Sequence, residues 1–367
     1  MLIRRFNIAA VLLLAVAGLT ACASGPEPVS DWDPFKLVWP QPPEKPRIKY
    51  VDSLQGEEDV AGSKNFAKSI FGEEVVRTLE KPYGVITDED GRVYVSDIGG
   101  IFVFDKANKK FSIMGQSGSI RLIRPLGMFY DRKNKLLYVA DSSLDKVLVF
   151  NKSGSGVLEI GKGELKDPGG VAVDVERNLV YVTNTKKHVI SVFDTKSAYI
   201  RDIGTRGSET GEFNFPTQIA LDKDGNIYVV DSGNFRIQVL DPEGKFIRKM
   251  GEIGTTIGQF ARPKGIAVAP GGEIYITDAM YGGVAVFDFD GPLLLVWGAR
   301  GWDKGLFDLP AGVHVDEKGL VYVVSQWTRR VEIFQSLSYP EDKEVREKRI
   351  QEKLEKDKLE KDKLNPQ

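Results

Sequence analysis

Thiols, imidazoles and long apolar runs are what this chain has least of. One cysteine and two histidines occur in 367 residues. A lone cysteine rules out an internal disulfide framework, and no Cys-x-x-Cys-His haem attachment site is present. Zinc sites draw three or four ligands from His, Cys and carboxylates, so two histidines argue against a metal centre. The longest apolar run, residues 8–21, has 14 residues, short of the ~20 that a transmembrane helix needs. Charge of one sign is missing too. The formal net charge is −2, which argues against nucleic acid as the main partner. No phosphate loop, nucleotide fingerprint or Ser-His-Asp arrangement is found, and nothing calls for a cofactor. Glycine is plentiful, with 38 residues, as a fold with many turns requires.

The two ends stand apart from the rest. Arg4 and Arg5 precede the apolar run in the layout of an export signal over residues 1–21. It ends in Leu19-Thr20-Ala21-Cys22, which resembles the bacterial lipobox. The resemblance implies cleavage before Cys22 and lipidation of its thiol and new N-terminus. One acyl chain binds a membrane only marginally, at ~0.8 kcal/mol per buried CH₂, whereas several anchor stably. Neither Ala23 nor Ser24 is the Asp that commonly retains such proteins in the inner membrane, which points to the outer membrane of a Gram-negative cell. The exported part has 48 basic and 52 acidic residues, a net of about −4. Residues 22–46 carry seven prolines, among them Pro40, Pro42 and Pro43, and read as a stiffened tether. Trp32 and Trp39 lie within it, placed either at the lipid interface or against the folded part. At the other end, residues 339–367 are densely charged, with pairs such as Glu352 and Lys356 that suit an exposed helix. Leu354, Leu359 and Leu364 step ~140° around a helix and form no stripe, so a solvated helix or unstructured tail is expected rather than a coiled coil.

Between the ends, residues 47–338 repeat. Six units open with Pro82, Pro125, Pro168, Pro216, Pro263 and Pro310. An apolar strand follows each proline, then a polar turn such as Lys223-Asp-Gly-Asn226, then a second strand carrying a tyrosine. Those tyrosines are Tyr94, Tyr138, Tyr181, Tyr228, Tyr275 and Tyr322. In Ile227 to Val230 apolar residues fill both parities, which predicts a strand covered on both faces. A third strand and a fourth ending at glycine complete five units, but the sixth has only three strands. The missing one appears at the other end of the chain, where Arg47 to Leu54 resembles Lys245 to Met250. A four-stranded repeat of 43 to 48 residues with one strand displaced to the far terminus predicts an all-β, closed six-bladed β-propeller. Hydrogen bonding between first and last segments would remove the open seam. An open solenoid would need polar end caps, and none is visible.

The motif Asp231-Ser-Gly-Asn-Phe-Arg-Ile-Gln-Val and the connector Gly204-x-x-Gly207-x-x-x-Gly211-x-Phe213-x-x-Pro216 resemble the NHL repeat. The resemblance runs from Arg47 to about Phe334 and weakens in the first and sixth units, at Asp97-Ile-Gly-Gly and Ser325-Gln-Trp. It implies a monomeric propeller that hosts binding or enzymatic sites. The residue ending each second strand is Asp97, Asp141, Asn184, Asp231, Asp278 or Ser325. A short polar side chain there is expected to bond backbone amides of the next turn. His188 falls just before a third strand. His314 takes a strand position held by Ala172, Ala220 and Ala267, which places it between blades.

Function is read from departures from the repeat. Residues after the opening prolines face the mouth of the central channel, and of these Tyr83 and Lys264 are binding candidates. The turns between second and third strands share a face with the connectors between blades, and there Tyr281, Trp327, Arg329 and Lys187 are candidates, since exposed aromatics beside arginine suit a binding surface. The connector from Gln55 to Lys81 is long, and Phe66, Ile70 and Phe71 predict a short amphipathic helix after Ser63. The expected function is a lipid-anchored envelope protein whose propeller binds a protein or an envelope polymer. A lactonase- or lyase-like enzyme working in the channel is the alternative.

Overall fold

The computed structural model describes residues 37–61, 77–116, 118, 120–337 and 348. Cys22, Trp32, the connector residues Phe66, Ile70 and Phe71, and the leucines of the C-terminal tail lie outside this set. Five sheets of four antiparallel strands follow one another, and a sixth combines the two ends of the propeller. In the fourth blade the strands are Pro216–Leu221, Ile227–Asp231, Arg236–Leu240 and Phe246–Met250, from the axis outwards. In the sixth they are Pro310–Val315, Leu320–Ser325, Arg330–Ser336 and then the N-terminal Ile48–Leu54, paired antiparallel from Ile48 with Ser336 to Leu54 with Val331. A short strand, Val38–Trp39, adds a fifth edge. Trp39 packs edge-on against Phe334, with ring centroids 5.7 Å apart. Each innermost strand contacts the next, and blade six contacts blade one, so the ring is closed.

Burial explains the strand patterns. Ile227–Asp231 is buried at every position, because neighbouring blades cover both faces of each sheet. The outermost Phe246–Met250 alternates between half-buried and exposed and is fully buried only at Met250. Apolar clusters fill the spaces between blades, such as Tyr228, Val230, Ile237 and Met250 of blade four against Ile266, Ile274 and Phe287 of blade five. Three residues before each opening proline stands a buried apolar plug: Leu79, Leu122, Leu165, Phe213, Phe260 and Phe307. Full burial of one such side chain is worth ~1.5–3 kcal/mol.

The recurrent tyrosines tie the second strand to the turn that precedes it. Tyr94, Tyr228 and Tyr322 each donate their hydroxyl to an aspartate six residues earlier, Asp88, Asp222 and Asp316, at 3.0–3.3 Å. Blade five has Ala269 in place of that aspartate, and Tyr275 donates instead to Ser336 Oγ of blade six at 3.3 Å.

The recurrent Asp at the end of the second strand works in two directions. Asp278 Oδ1 accepts from Met280 N and Tyr281 N of the following turn, as the sequence pattern predicts. Its Oδ2 accepts from Ala261 N and Arg262 N at 2.8 and 2.9 Å, just ahead of the innermost strand. Asp141 repeats this arrangement, and Asp97 holds the same two segments with Glu80 N on Oδ2 and both Lys81 N and Ile98 N on Oδ1. Asn184, Asp231 and Ser325 hold the upstream connector through one backbone amide each.

Between the sixth blade and the first, a short helix, Glu58–Ala61, follows the closing strand. Asp59 Oδ2 accepts from Gly56 N at 2.8 Å, and Val60 packs with Leu54 and Leu79.

Candidate functional site

Because each recurrent Asp touches both the following turn and the preceding connector, those two loop sets share one face, the connector face. The turns joining first and second strands lie at the opposite end, the turn face. Position by position, the residue before the third strand is left-handed in all six blades: Gly99, Asp145, His188, Phe235, Gly282 and Arg329, with φ between +54° and +73°. His188 is therefore part of the scaffold. Its Nδ1 accepts from Phe215 N at 3.2 Å and its ring lies 4.3 Å from the Phe215 ring. Burial, with help from the Arg206 charge, lowers its pKa.

At the axis the connector face is plugged. Five of the six units read Pro-x-Gly, giving Gly84, Gly127, Gly170, Gly265 and Gly312, and the fourth has Gln218. Neighbouring backbones meet here. A Cβ on Gly127 would stand 2.7 Å from Gly170 Cα, and one on Gly312 2.9 Å from Gly84 Cα. The room left by missing side chains is filled by Gln218, whose Nε2 donates to Gly169 O at 3.1 Å. Tyr83 lies above it. Burial raises the Tyr83 pKa, opposed by its hydrogen bond with Gln218 and the nearby charges of Arg124 and Arg262. Lys264 Nζ lies 5.8 Å from the Tyr83 ring centroid and donates to Gln326 Oε1 at 2.6 Å. Gln326 Nε2 in turn donates to Pro82 O at 3.1 Å, tying together blades five, six and one. Burial and the charge of Arg262 bring the Lys264 pKa down to about 8.

Below the plug lies a cavity of about 930 Å³ that opens on the turn face. Its walls are the innermost strands and its mouth the turns around Arg132, Glu176, Asp224 and Glu317. His314 lines it and bridges the closing seam, with Nε2 2.9 Å from Thr87 Oγ1 of blade one and its ring stacked on Tyr322. It thus packs between blades, as its place in the repeat predicts. Burial, with the charge of Arg132, lowers its pKa to about 3, so the ring stays neutral in ordinary buffers. Among the described residues no group of three or more His, Cys, Asp or Glu is placed to hold a metal ion.

A sequence profile of the DUF5128 family, described as 6-bladed beta-propeller, matches residues 170–237 and 223–366. The chain belongs to this six-bladed β-propeller family. No curated protein matches it in sequence. Solved structures of similar fold include a structural genomics protein of unknown function from Bacteroides thetaiotaomicron, 14% identical over 71% of this chain and 70% of that one, with a TM-score of 0.60. A streptogramin B lyase is 14% identical over 70% and 93% of the two chains, TM-score 0.53. Hydrazine synthase of Kuenenia stuttgartiensis is 15% identical over 72% and 97%, TM-score 0.52. At these identities the likeness is one of fold.

Within this six-bladed propeller the candidate residues fall into two groups. Tyr83 and Lys264, far apart in sequence, come together at the axis. Tyr281, Trp327, Arg329 and Lys187 are spread over the rim of the same face. The Tyr281 hydroxyl donates to Gly254 O of the neighbouring connector. Trp327 is 60% exposed, and Arg329 is exposed at its left-handed turn position. Lys187 is exposed, 3.9 Å from Glu164 Oε2. Met280, beside Tyr281 in a turn that the sequence places on this face, is exposed, and the structure adds Ile253, Ile257 and Trp302 to the exposed apolar side chains there. Trp302 had a sequence signal. It follows the second glycine of a connector, where the two preceding connectors have Ser208 and Thr255. Gln218 had one as well, as the sole break in the Pro-x-Gly series.

Proposed function

We propose that this protein is a lipid-anchored binding module of the bacterial cell envelope, built on an NHL-type propeller, whose connector face takes a protein or an envelope polymer. The observation that carries this reading is the concentration of exposed apolar side chains there. Ile257 is 83% exposed, and Trp302 and Trp327 about 60% each. Large apolar groups grouped on one face and accompanied by arginine suit a recognition surface. The enzyme reading has less support, since His314 is kept neutral by burial and the charge of Arg132 and is engaged by Thr87, and Asp131 and Asp222 are taken up by their own turns. The anchor is part of the proposal, with Cys22 carrying the lipid and the outer membrane as its place.

A photo-crosslinking residue placed at Trp327 or at Tyr281 in intact cells tests the binding face. Adducts formed there and absent from the same probe at Lys133, on the turn face, support the reading; equal labelling of both faces, or none, refutes it. The anchor is tested separately by Cys22→Ala, which should release the protein from washed membranes. Retention of the variant would refute lipidation at Cys22.

A further inference from the structure

We propose that the axial cavity is a second binding site, for an amphipathic organic anion with a compact apolar body and one acidic group. Three observations carry this. First, the cavity is lined by turn residues at one end and by close-packed glycines at the other. Its lining reaches up to Gly84, Gly127, Gly265 and Gly312 and includes neither Tyr83 nor Lys264, because the glycine ring, Gln218 and Tyr83 fill the other end. About 930 Å³ is within the range of pockets that enclose small organic ligands, ~300–1,000 Å³.

Second, the wall is apolar and uneven. The innermost-strand position opposite each recurrent tyrosine is Ile86, Phe129, Ala172, Ala220, Ala267 and His314 in blades one to six. Bulky groups occupy blades six, one and two, and alanines blades three, four and five. The space is therefore displaced towards the alanine side, where it reaches Tyr228, Arg248 and Phe289 of blades four and five.

Third, the polar groups suit an anion. Arg132 lines the cavity, forms no ion pair among the described residues, and reaches only Thr87 O at 3.5 Å. Arg248 also lines it; its Nη2 is held by Phe289 O and the Tyr228 hydroxyl, while its buried Nε has no hydrogen-bond partner, so it adds positive charge to the wall and Arg132 is the group left to pair with an anion. Nearby carboxylates are engaged elsewhere. Asp131 accepts from Asn134 N and Nδ2, Asp222 from its own turn and Tyr228, and Glu176 pairs with Lys133. Asp224 and Glu317 stand at the mouth, exposed to solvent. A neutral His314 adds a hydrogen-bonding ring without a second charge.

This site is independent of the connector face, which lies at the other end of the axis. The test uses anilinonaphthalene sulfonate, an apolar body with one anionic group, and its uncharged counterpart N-phenylnaphthylamine, titrated by fluorescence against the folded protein. One saturable site for each dye is expected. Ala220→Leu and Ala267→Leu, which fill the open side, should weaken both dyes. Arg132→Gln should weaken the sulfonate by about tenfold, the loss of a charge-assisted hydrogen bond, and leave the neutral dye unchanged. Trp327→Ala should change neither. The proposal is overturned by the absence of saturable binding, by sulfonate binding that survives both leucine variants, by loss of binding in Trp327→Ala, or by equal effects of Arg132→Gln on the two dyes. Melting curves identify any leucine variant that fails to fold, and the other then gives the reading.

Discussion

Replacing Asp231 by alanine tests how the repeat motif holds a blade together. The Asp231 carboxylate is fully buried. Its Oδ1 accepts from Asn214 N at 2.7 Å, and its Oδ2 from Arg236 Nε at 2.8 Å, Asn234 Nδ2 at 2.9 Å and Gln238 Nε2 at 3.2 Å. Arg236 Nη2 goes on to Glu209 O and Glu212 O, so one buried ion pair fixes the connector entering the blade. Alanine would strand the guanidinium of Arg236, whose side chain is 9% exposed. Removing one partner of a buried pair costs about 3–5 kcal/mol, a large part of the ~5–15 kcal/mol that stabilises a typical domain. A fall in Tm on the order of 10 °C is expected by calorimetry. Blade three supplies the control. There Asn184 takes the place of Asp231, with Val189 and Ser191 at the places of Arg236 and Gln238, and its amide still bonds Lys166 N, Glu164 O and Ser191 Oγ. The double variant Asp231→Asn, Arg236→Val leaves no unpaired charge and should lose less than Asp231→Ala alone. A single variant within ~1 kcal/mol of the parent, or a double variant worse than the single, would refute the reasoning.

Two other perturbations probe the ring. Gly312→Ala puts a Cβ against Tyr83 O and Gly84 Cα at the junction of blades six and one, and should cost at least ~1–3 kcal/mol as overpacking against backbone, read from denaturant midpoints; a neutral result would mean that the blades can separate freely there. Glu332, fully buried beside Arg330, has its pKa raised to about 7 by burial, against the opposing charge of Arg330. Its protonated form is favoured by folding, so this contribution to stability is complete below about pH 4.5 and is lost as pH rises through about 7. Glu332→Gln should therefore flatten the stability profile between those values and gain on the parent at pH 8, and parallel profiles would contradict the assignment.

The repeat made the propeller legible because its signals are local. A proline, a polar turn, a tyrosine and a glycine recur at fixed offsets, and the missing sixth outer strand could be found by its likeness to Lys245 to Met250. The role of the recurrent Asp in gripping the following turn was equally readable. What it holds upstream was not, since the Asn214 amide that Asp231 binds is 17 residues away in the chain. Sequence spacing also could not bring His314 to Thr87, 227 residues apart, nor Lys264 to Tyr83, because both contacts exist only once the ring closes. The cavity was hidden for a further reason. Its shape comes from three alanines acting together, and each alone reads as an ordinary core residue.

The outer strand of blade six has a consequence in time as well as in space. Ile48–Leu54 is the first blade strand to emerge when the chain is made, and its partner Arg330–Ser336 is the last. At ~5–20 residues per second roughly 15–60 s separate the two, and until then the edge that Arg330–Ser336 will cover is bare. Such a strand invites pairing with a neighbouring chain. Its alternation of Ile48 and Tyr50 with Lys49 and Asp52 keeps charge within two residues of every apolar position, which suits a segment that must stay soluble alone. Closure of the ring therefore requires the whole chain, since the pairing of Ile48–Leu54 with Arg330–Ser336 joins its first and last blade strands.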